Sequence, residues 1–313
     1  MFKTTISTYD FLKQFPDDVS ARHHIEQVRW NGHPKCPKCA SIERIQTRKV
    51  DGFYRCLACK FDFTVRTGTI FERSHIPLHK WLYAIYLINT ARKGISSVQL
   101  AQELGITQKS AWFMLHRIRE ACSKKNDDDD FLGGIIEVDE AYIGGKESNK
   151  HANKKLKAGR GTVGKTAVLG IRERGGKVYA KIISSTTVIS STTAGVIQKE
   201  IKTKLKPGSV LCTDEHGAYI GMSEYEHLVV NHSAKQFVDG MAHTNSIESV
   251  WAVLKRGFYG VYHSFSVKHM QRYVDEFMFR LNEGNCANQT MARVNALLGR
   301  VVGKRITYET LTA

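Results

Sequence analysis

Three carboxylates and four cysteines carry most of the chemistry this sequence could do. Asp139 closes the apolar run Gly134-Ile135-Ile136-Glu137-Val138, Asp214 closes Ser209-Val210-Leu211-Cys212-Thr213, and Glu248 lies in a stretch with helical spacing. Carboxylate oxygens are the ligands that hard divalent cations such as Mg2+ require. Two such cations about 3.5–4 Å apart can activate an attacking oxygen and stabilise a leaving one in phosphoryl transfer. Several acids in one folded site repel each other unless a cation neutralises them. An aspartate among Ile135, Ile136, Val138 and Ile143 is costly without a partner. Each acid also has a plain structural reading: Asp139 as a solvated strand end, Asp214 as a turn-former, Glu248 as a surface glutamate. Strand alternation puts Glu137 on the face of Asp139, as a supporting residue, and Glu140 on the other face. His216, just past Asp214, reads as a cap for the turn rather than a substrate ligand.

The cysteines fall as Cys36-Pro37-Lys38-Cys39 and Cys56-Leu57-Ala58-Cys59, with sixteen residues between the pairs. Two such knuckles joined by a short hairpin give Zn2+ the four sulfur ligands of a closed, structural tetrahedron. Cys122, Cys212 and Cys286 are scattered, a pattern that fits a reducing compartment and one zinc site rather than a disulfide scaffold. Lys35, Lys38, Arg44, Arg48, Arg55 and Lys60 around the knuckles suit contact with phosphates.

The elements that must position these residues fall into four stretches. Residues 1–70 hold two short helices, at 8–16 and 25–30, and the cysteine segment with strands at 42–50 and 52–54. Residues 75–125 are helical: Trp81, Leu82, Ile85, Tyr86 and Ile88 share a face, then 96–104 and 108–121 form a helix-turn-helix about Gly105. Thr107 is the expected N-cap of its second helix, which is expected to present Gln108, Lys109, Ser110, His116 and Arg117 outward, towards DNA. The run 127–130, four aspartates, reads as a solvated linker. Residues 131–285 alternate strands at 134–143, 166–173, 177–184, 208–213 and 227–231 with helices at 192–204, 242–256 and 266–282, a mixed α/β plan. In the second of these helices Ile247, Val250, Trp251, Leu254 and Phe258 form the buried stripe, and Glu248 runs beside it with Lys255. Residues 286–313 read as a tail with one short helix and an irregular end.

With 46 basic against 30 acidic residues the formal net charge is +16, which favours a polyanion partner, nucleic acid before membrane. No stretch is long and apolar enough to span a bilayer, and residues 1–18 carry no secretory signal, so the expected location is cytoplasmic and nucleoid-associated. The basic stretch 146–165, with Lys150, Lys154, Lys155, Lys157 and Arg160 among its glycines, is expected to be mobile when free and ordered on DNA.

Residues 135–282 resemble the catalytic domain of DDE transposases of bacterial insertion sequences. The resemblance is carried by Glu137-Val138-Asp139-Glu140-Ala141-Tyr142-Ile143-Gly144-Gly145, Thr213-Asp214-Glu215-His216-Gly217-Ala218-Tyr219 and His243-Thr244-Asn245-Ser246-Ile247-Glu248-Ser249-Val250-Trp251. The upstream zinc ribbon and helix-turn-helix fit an ISXO-type subgroup, so nearly the whole chain is covered. The resemblance implies an RNase H-like catalytic domain in which Asp139, Asp214 and Glu248 bind two Mg2+ (or Mn2+) ions. In that subgroup the third ligand is Glu, Asn or His; Asn245 is available too, and the helix stripe and the resemblance both favour Glu248. The implied activity is recognition of terminal inverted repeats, cleavage at the 3′ ends and joining to target DNA, by an oligomer that is at least a dimer. DNA contacts are expected from Gln108, Lys109, Arg117, Lys154, Lys155, Lys255 and Arg256. The competing readings are a domesticated, non-catalytic DNA-binding regulator and an RNase H-like nuclease acting on branched or hybrid substrates.

Overall fold

Aromatic residues gather the start of the chain. The computed structural model describes residues 5–123, 131–145, 147–155, 164–183, 194–231, 234 and 238–313, and divides into two compact units, one of residues 1–123 with 283–313 and one of 124–282. In the first unit α1 (Thr8–Gln14) and α2 (Asp18–Trp30) start from the side-chain caps Ser7 and Asp17. A three-stranded antiparallel sheet follows, β1 (Ile45–Thr47), β2 (Phe53–Cys56) and β3 (Asp62–Thr64). The third strand was not expected from the sequence: Asp62-Phe63-Thr64 is too short to alternate visibly, and it is held by pairing to β2 and by the Trp30–Tyr54–Phe63 ring cluster. Next come α3 (Leu78–Thr90), buried along most of its length, then α4 (Ser97–Leu104) and α5 (Gln108–Cys122). Gly105 turns the chain in the left-handed region (φ 60°), and the Thr107 hydroxyl caps α5 by accepting from the Ser110 amide.

The second unit is built on a five-stranded sheet: β4 (Ile135–Ile143), β5 (Thr166–Glu173), β6 (Val178–Ile182), β7 (Val210–Asp214) and β8 (Glu226–Val230), ordered β6-β5-β4-β7-β8. β4, β5 and β6 form an antiparallel meander. β7 and β8 join parallel to β4 and to each other, and a parallel partner needs a long crossover. That crossover carries α6 (Ala194–Lys204), which packs on one face through Ile197 and Ile201 against Ile136, Val138, Leu169, Ile171 and Leu211. On the opposite face lie α7 (Asn245–Gly257), a π-helical turn at Phe258–Tyr262 and α8 (Val267–Leu281), packed through Ile247, Val250, Trp251, Leu254, Val274 and Phe277 onto Ala141, Ile143, Val168 and Ala180. The alternation of β4 thus sends Ile136 and Val138 to one layer and Ala141 and Ile143 to the other, so Glu137 and Asp139 sit on the α7 side.

The last stretch holds the one short helix expected, and where an irregular end was expected it forms a second. It folds with the first unit as α9 (Thr290–Leu298) and α10 (Tyr308–Thr312). Arg293 of α9 donates to the Asn89 carbonyl of α3, and residues beyond α9 run beside the segment after β3, with Ile70 N–H to Val301 O at 3.1 Å and Gly303 N–H to Gly68 O at 2.8 Å. A stretch whose partners lie two hundred residues away leaves no local signal of that packing. No described helix is long and apolar enough to cross a membrane.

Candidate active site and zinc centre

β4 and β7 pair in register through Glu137 opposite Cys212, so Asp139 and Asp214, each two residues further on, end level on neighbouring strands and on one face. Asp139 is the midpoint of the central strand, and burial lifts its carboxyl to about 6, with the charges of Glu140 and Asp214 adding to that rise. Its two oxygens are already oriented: Oδ1 accepts from the Glu140 amide at 2.8 Å and Oδ2 from the Trp251 indole N–H at 3.0 Å. Asp214 ends its strand and accepts the His216 amide on Oδ1 at 3.1 Å. His216 in turn accepts the Ala218 amide at 3.4 Å, the turn-capping role read for it.

Glu248 lies in the first turn of α7, exposed, with the Thr244 hydroxyl donating to its Oε1 at 3.1 Å. Trp251, one turn further on, is the residue that reaches Asp139. Asn245, the alternative third ligand, is also exposed at the start of α7. The helix stripe is as expected: Ile247, Val250, Trp251, Leu254 and Phe258 are all buried.

Trp251 can lie over β5 and reach Asp139 only because position 170 carries no side chain. Gly170 pairs with Asp139, and a Cβ there would stand 2.4 Å from the indole ring. The helical stripe marks Trp251 only as a core residue. The clue to its second role is Gly170, a glycine inside the apolar strand Ala167-Val168-Leu169-Gly170-Ile171, where glycine marks a close approach.

Glu140 faces the other layer, as expected, and accepts the Tyr219 hydroxyl at 2.6 Å; burial raises its carboxyl above the ordinary glutamate range. Glu137 is fully buried. It accepts from the Arg174 guanidinium at 2.9 Å, the Ser246 hydroxyl at 3.0 Å, and the Ser246 and Ile247 amides at 2.8 and 3.0 Å.

The donor set of Asp139, Asp214 and Glu248 is all carboxylate oxygen, which suits Mg2+ or Mn2+ and not zinc. The structure aligns the two aspartates and tethers α7 to the first of them. It does not gather the three acids into one coordination sphere: among the described residues only the four cysteines are drawn so close. Each acid is held instead by its own hydrogen bonds, to Trp251, to the His216 amide and to Thr244.

The zinc centre is tight. The ligand atoms of Cys36, Cys39, Cys56 and Cys59 all lie within 4.8 Å of one another, with Sγ–Sγ separations of 3.6 Å for Cys36–Cys59 and 3.5 Å for Cys39–Cys56. Ala40 and Lys60, each just past the second cysteine of a knuckle, take positive φ (59° and 60°), folding the chain back round the sulfurs. Backbone amides of Cys59 and Ala58, with neighbouring thiols, lower the Cys56 thiol to about 7. Four sulfurs at this spacing fit structural zinc.

The expected DNA-contacting residues divide. Lys109 is exposed on the first turn of α5, its Nζ 4.6 Å from the Tyr308 ring centre. Gln108 is exposed and donates to the Ser97 hydroxyl at 2.8 Å. Lys155, Lys255 and Arg256 are exposed. Lys157, Arg160, the side chain of Lys154 and the aspartates of 127–130 lie outside the described residues. The outward placement of His116 and Arg117 is corrected: both are buried, at 0% and 4% exposure. Arg117 donates to the Glu72 carbonyl at 2.6 Å and lies against the Trp81 and Phe113 rings. Beyond its second turn every residue of α5 but Glu120, which is half-buried, is buried, so helical spacing there does not reveal a broad solvent face.

Residues 131–282 match the ISXO2-like transposase domain, and residues 16–61 match the transposase zinc-ribbon domain. Over 282 residues the chain is 26% identical to an uncharacterized protein in transposable element ISH50 of Halobacterium salinarum, covering 86% of this chain and 92% of that protein. Over 119 residues it is 25% identical to an uncharacterized transposase-like protein of Haemophilus influenzae, covering 37% of this chain and 95% of the other. A chain in the crystal structure of a pre-cleavage Mos1 transpososome aligns over 69% of this chain and 77% of its own length at 12% identity, with a TM-score of 0.27, too low to bear on the fold. Two domains of one transposase group, together spanning well over half of the chain, establish that it belongs to the ISXO2-like transposases of insertion sequences.

Proposed function

We propose that this protein binds the terminal inverted repeats of its element, cleaves at the 3′ ends and joins them to target DNA, using two Mg2+ or Mn2+ ions held by Asp139, Asp214 and Glu248. The observation that carries the reading is the alignment of two of these acids on one sheet face. Asp139 and Asp214 stand level on adjacent strands, and the helix bearing Glu248 is tethered to Asp139 through Trp251. The antiparallel meander extended by two parallel strands supports an RNase H-like domain. Bound there, the cations would activate water and then the 3′-hydroxyl as nucleophiles. The chain's own part is to hold three carboxylates on rigid elements and to place Lys255 and Arg256, two turns along α7, for the DNA backbone.

End recognition falls to the first unit. The zinc ribbon, and α4–α5 acting as a helix-turn-helix, offer Lys109 and Gln108 on the exposed first turn of α5, the part of such a helix that contacts base edges. Two ends must be held together for joining, so the active species is an oligomer, at least a dimer on DNA. In a strand-transfer assay with end DNA and Mg2+, Asp139→Ala, Asp214→Ala and Glu248→Ala should each abolish joining and retain end binding. Full joining by all three variants would remove these acids from the reaction, and end binding without joining by the wild type would leave a DNA-binding regulator as the better account. Loss in Asn245→Ala with activity kept in Glu248→Ala would move the third ligand to Asn245.

A further inference from the structure

The helix that carries Glu248 lacks a cap of its own. The first amides of a helix have no partner within it, and the N-cap side chain ordinarily accepts from the second or third of them. In α7 the N-cap is Thr244, whose side chain makes no capping bond. Its hydroxyl donates to Glu248 instead, at 3.1 Å. The amides it would have served belong to Ser246 and Ile247, and both donate to Oε2 of Glu137, at 2.8 and 3.0 Å, from a strand more than a hundred residues earlier. A carboxylate at a helix N-terminus also suits the helix dipole.

Glu137 is fully buried, and its other oxygen is occupied by the Ser246 hydroxyl at 3.0 Å and the Arg174 guanidinium at 2.9 Å. Arg174 extends the clamp to the segment leading into α7, donating to the carbonyls of Met241 at 3.1 Å and His243 at 3.2 Å. The second fastening point is Trp251, whose indole holds Asp139 across the slot left by Gly170. Glu248 lies between the two fastening points. The same strand therefore bears one metal-site acid, Asp139, and two residues before it the acid that fixes the helix of another.

Resting on the metal-site reading above, we propose that Glu137 and Trp251 are positioning residues that fix α7 against β4, so that Glu248 is presented to the cations bound by Asp139 and Asp214. Glu137 caps the helix in place of Thr244, whose hydroxyl donates to Glu248 instead.

The test uses the full-length, zinc-loaded protein. Mn2+ binding is titrated by electron paramagnetic resonance, and strand transfer is measured against Mn2+ concentration, for wild type, Glu137→Gln, Trp251→Phe and Asp139→Ala. Trp251→Phe keeps an aromatic ring in the core and carries the test should Glu137→Gln fail to fold. Loss of charged, buried hydrogen bonds at the fastening points should weaken Mn2+ binding about tenfold. The metal concentration for half-maximal joining should rise in step, rate at saturating Mn2+ should largely recover, and end-DNA binding should stay intact. A merely structural contribution would lower the active fraction and leave the Mn2+ midpoint where it was; that result overturns the proposal. If Asp139→Ala abolishes Mn2+ binding while Glu137→Gln and Trp251→Phe bind as wild type, the positioning proposal alone fails. If Asp139→Ala also binds Mn2+ and joins ends normally, it is the metal-site reading that fails.

Discussion

At the scale of single residues, Asp139 is the telling group. It sits at the centre of a central strand, and burial raises its carboxyl from the ordinary 3.8 to about 6. For an acid so raised, the cost of burying the charge is absent below the unfolded value and fully present above the folded one, so the metal-free catalytic unit loses stability between those two pH values. Asp139→Asn removes that cost at neutral pH. It should raise the metal-free melting temperature of the catalytic unit by roughly 2–4 °C while erasing the stabilisation by Mn2+. In the wild type that Mn2+ stabilisation should itself fade as pH falls through about 6, because protons compete for the ligand; calorimetry at two pH values checks both effects. The strand positions of Asp139 and Asp214 were legible in sequence because an acid that closes an apolar run is conspicuous. Glu137 was legible as a partner on the same face, though its four donors were not. His116 and Arg117 were misread, because exposure on a helix depends on what encloses it, and α5 is enclosed by distant elements.

At the scale of elements, three are brought together, β4, β7 and α7, and the join between α7 and the sheet is the most specific. Gly170 exists to let that join form. A methyl group there must displace the Trp251 ring, whose edge fills that space together with the Ile247 side chain. Gly170→Ala should cost about 1–3 kcal/mol of catalytic-unit stability, as overpacking of a filled core does. It should also lower joining more than its loss of stability explains, because Trp251 is drawn off Asp139. Thermal unfolding and strand transfer measured on the same preparation separate the two effects; wild-type values in both would refute the role given to the slot. The strands and helices of this unit are readable from period two and period 3.6, to within three residues: β7 is expected at 208–213 and runs Val210–Asp214, and α7 is expected at 242–256 and runs Asn245–Gly257. Among the strands, β3 of the first unit was missed, since its three residues are too few to show a period.

At the scale of the whole molecule, the chain makes one excursion. It builds a helical unit with the zinc ribbon, leaves at the aspartate-rich segment for the second, sheet-based unit, and returns after Asn282 to complete the first unit with α9 and α10. The outward boundary was visible as a run of like charge; the return was not, because Arg293 and Val301 take their partners from residues 68–89. The net charge of +16 and the two transposase domains agree on a polyanion partner. All of this converges on one claim, that Asp139, Asp214 and Glu248 form a single divalent-metal site when the protein is engaged with DNA. The most direct test is anomalous diffraction from crystals grown with transposon-end DNA and Mn2+. The account predicts two Mn2+ peaks about 3.5–4 Å apart, ligated by Asp139, Asp214 and Glu248. Peaks ligated by other side chains, or an ordered end-DNA complex with no Mn2+ at Asp139, would contradict it.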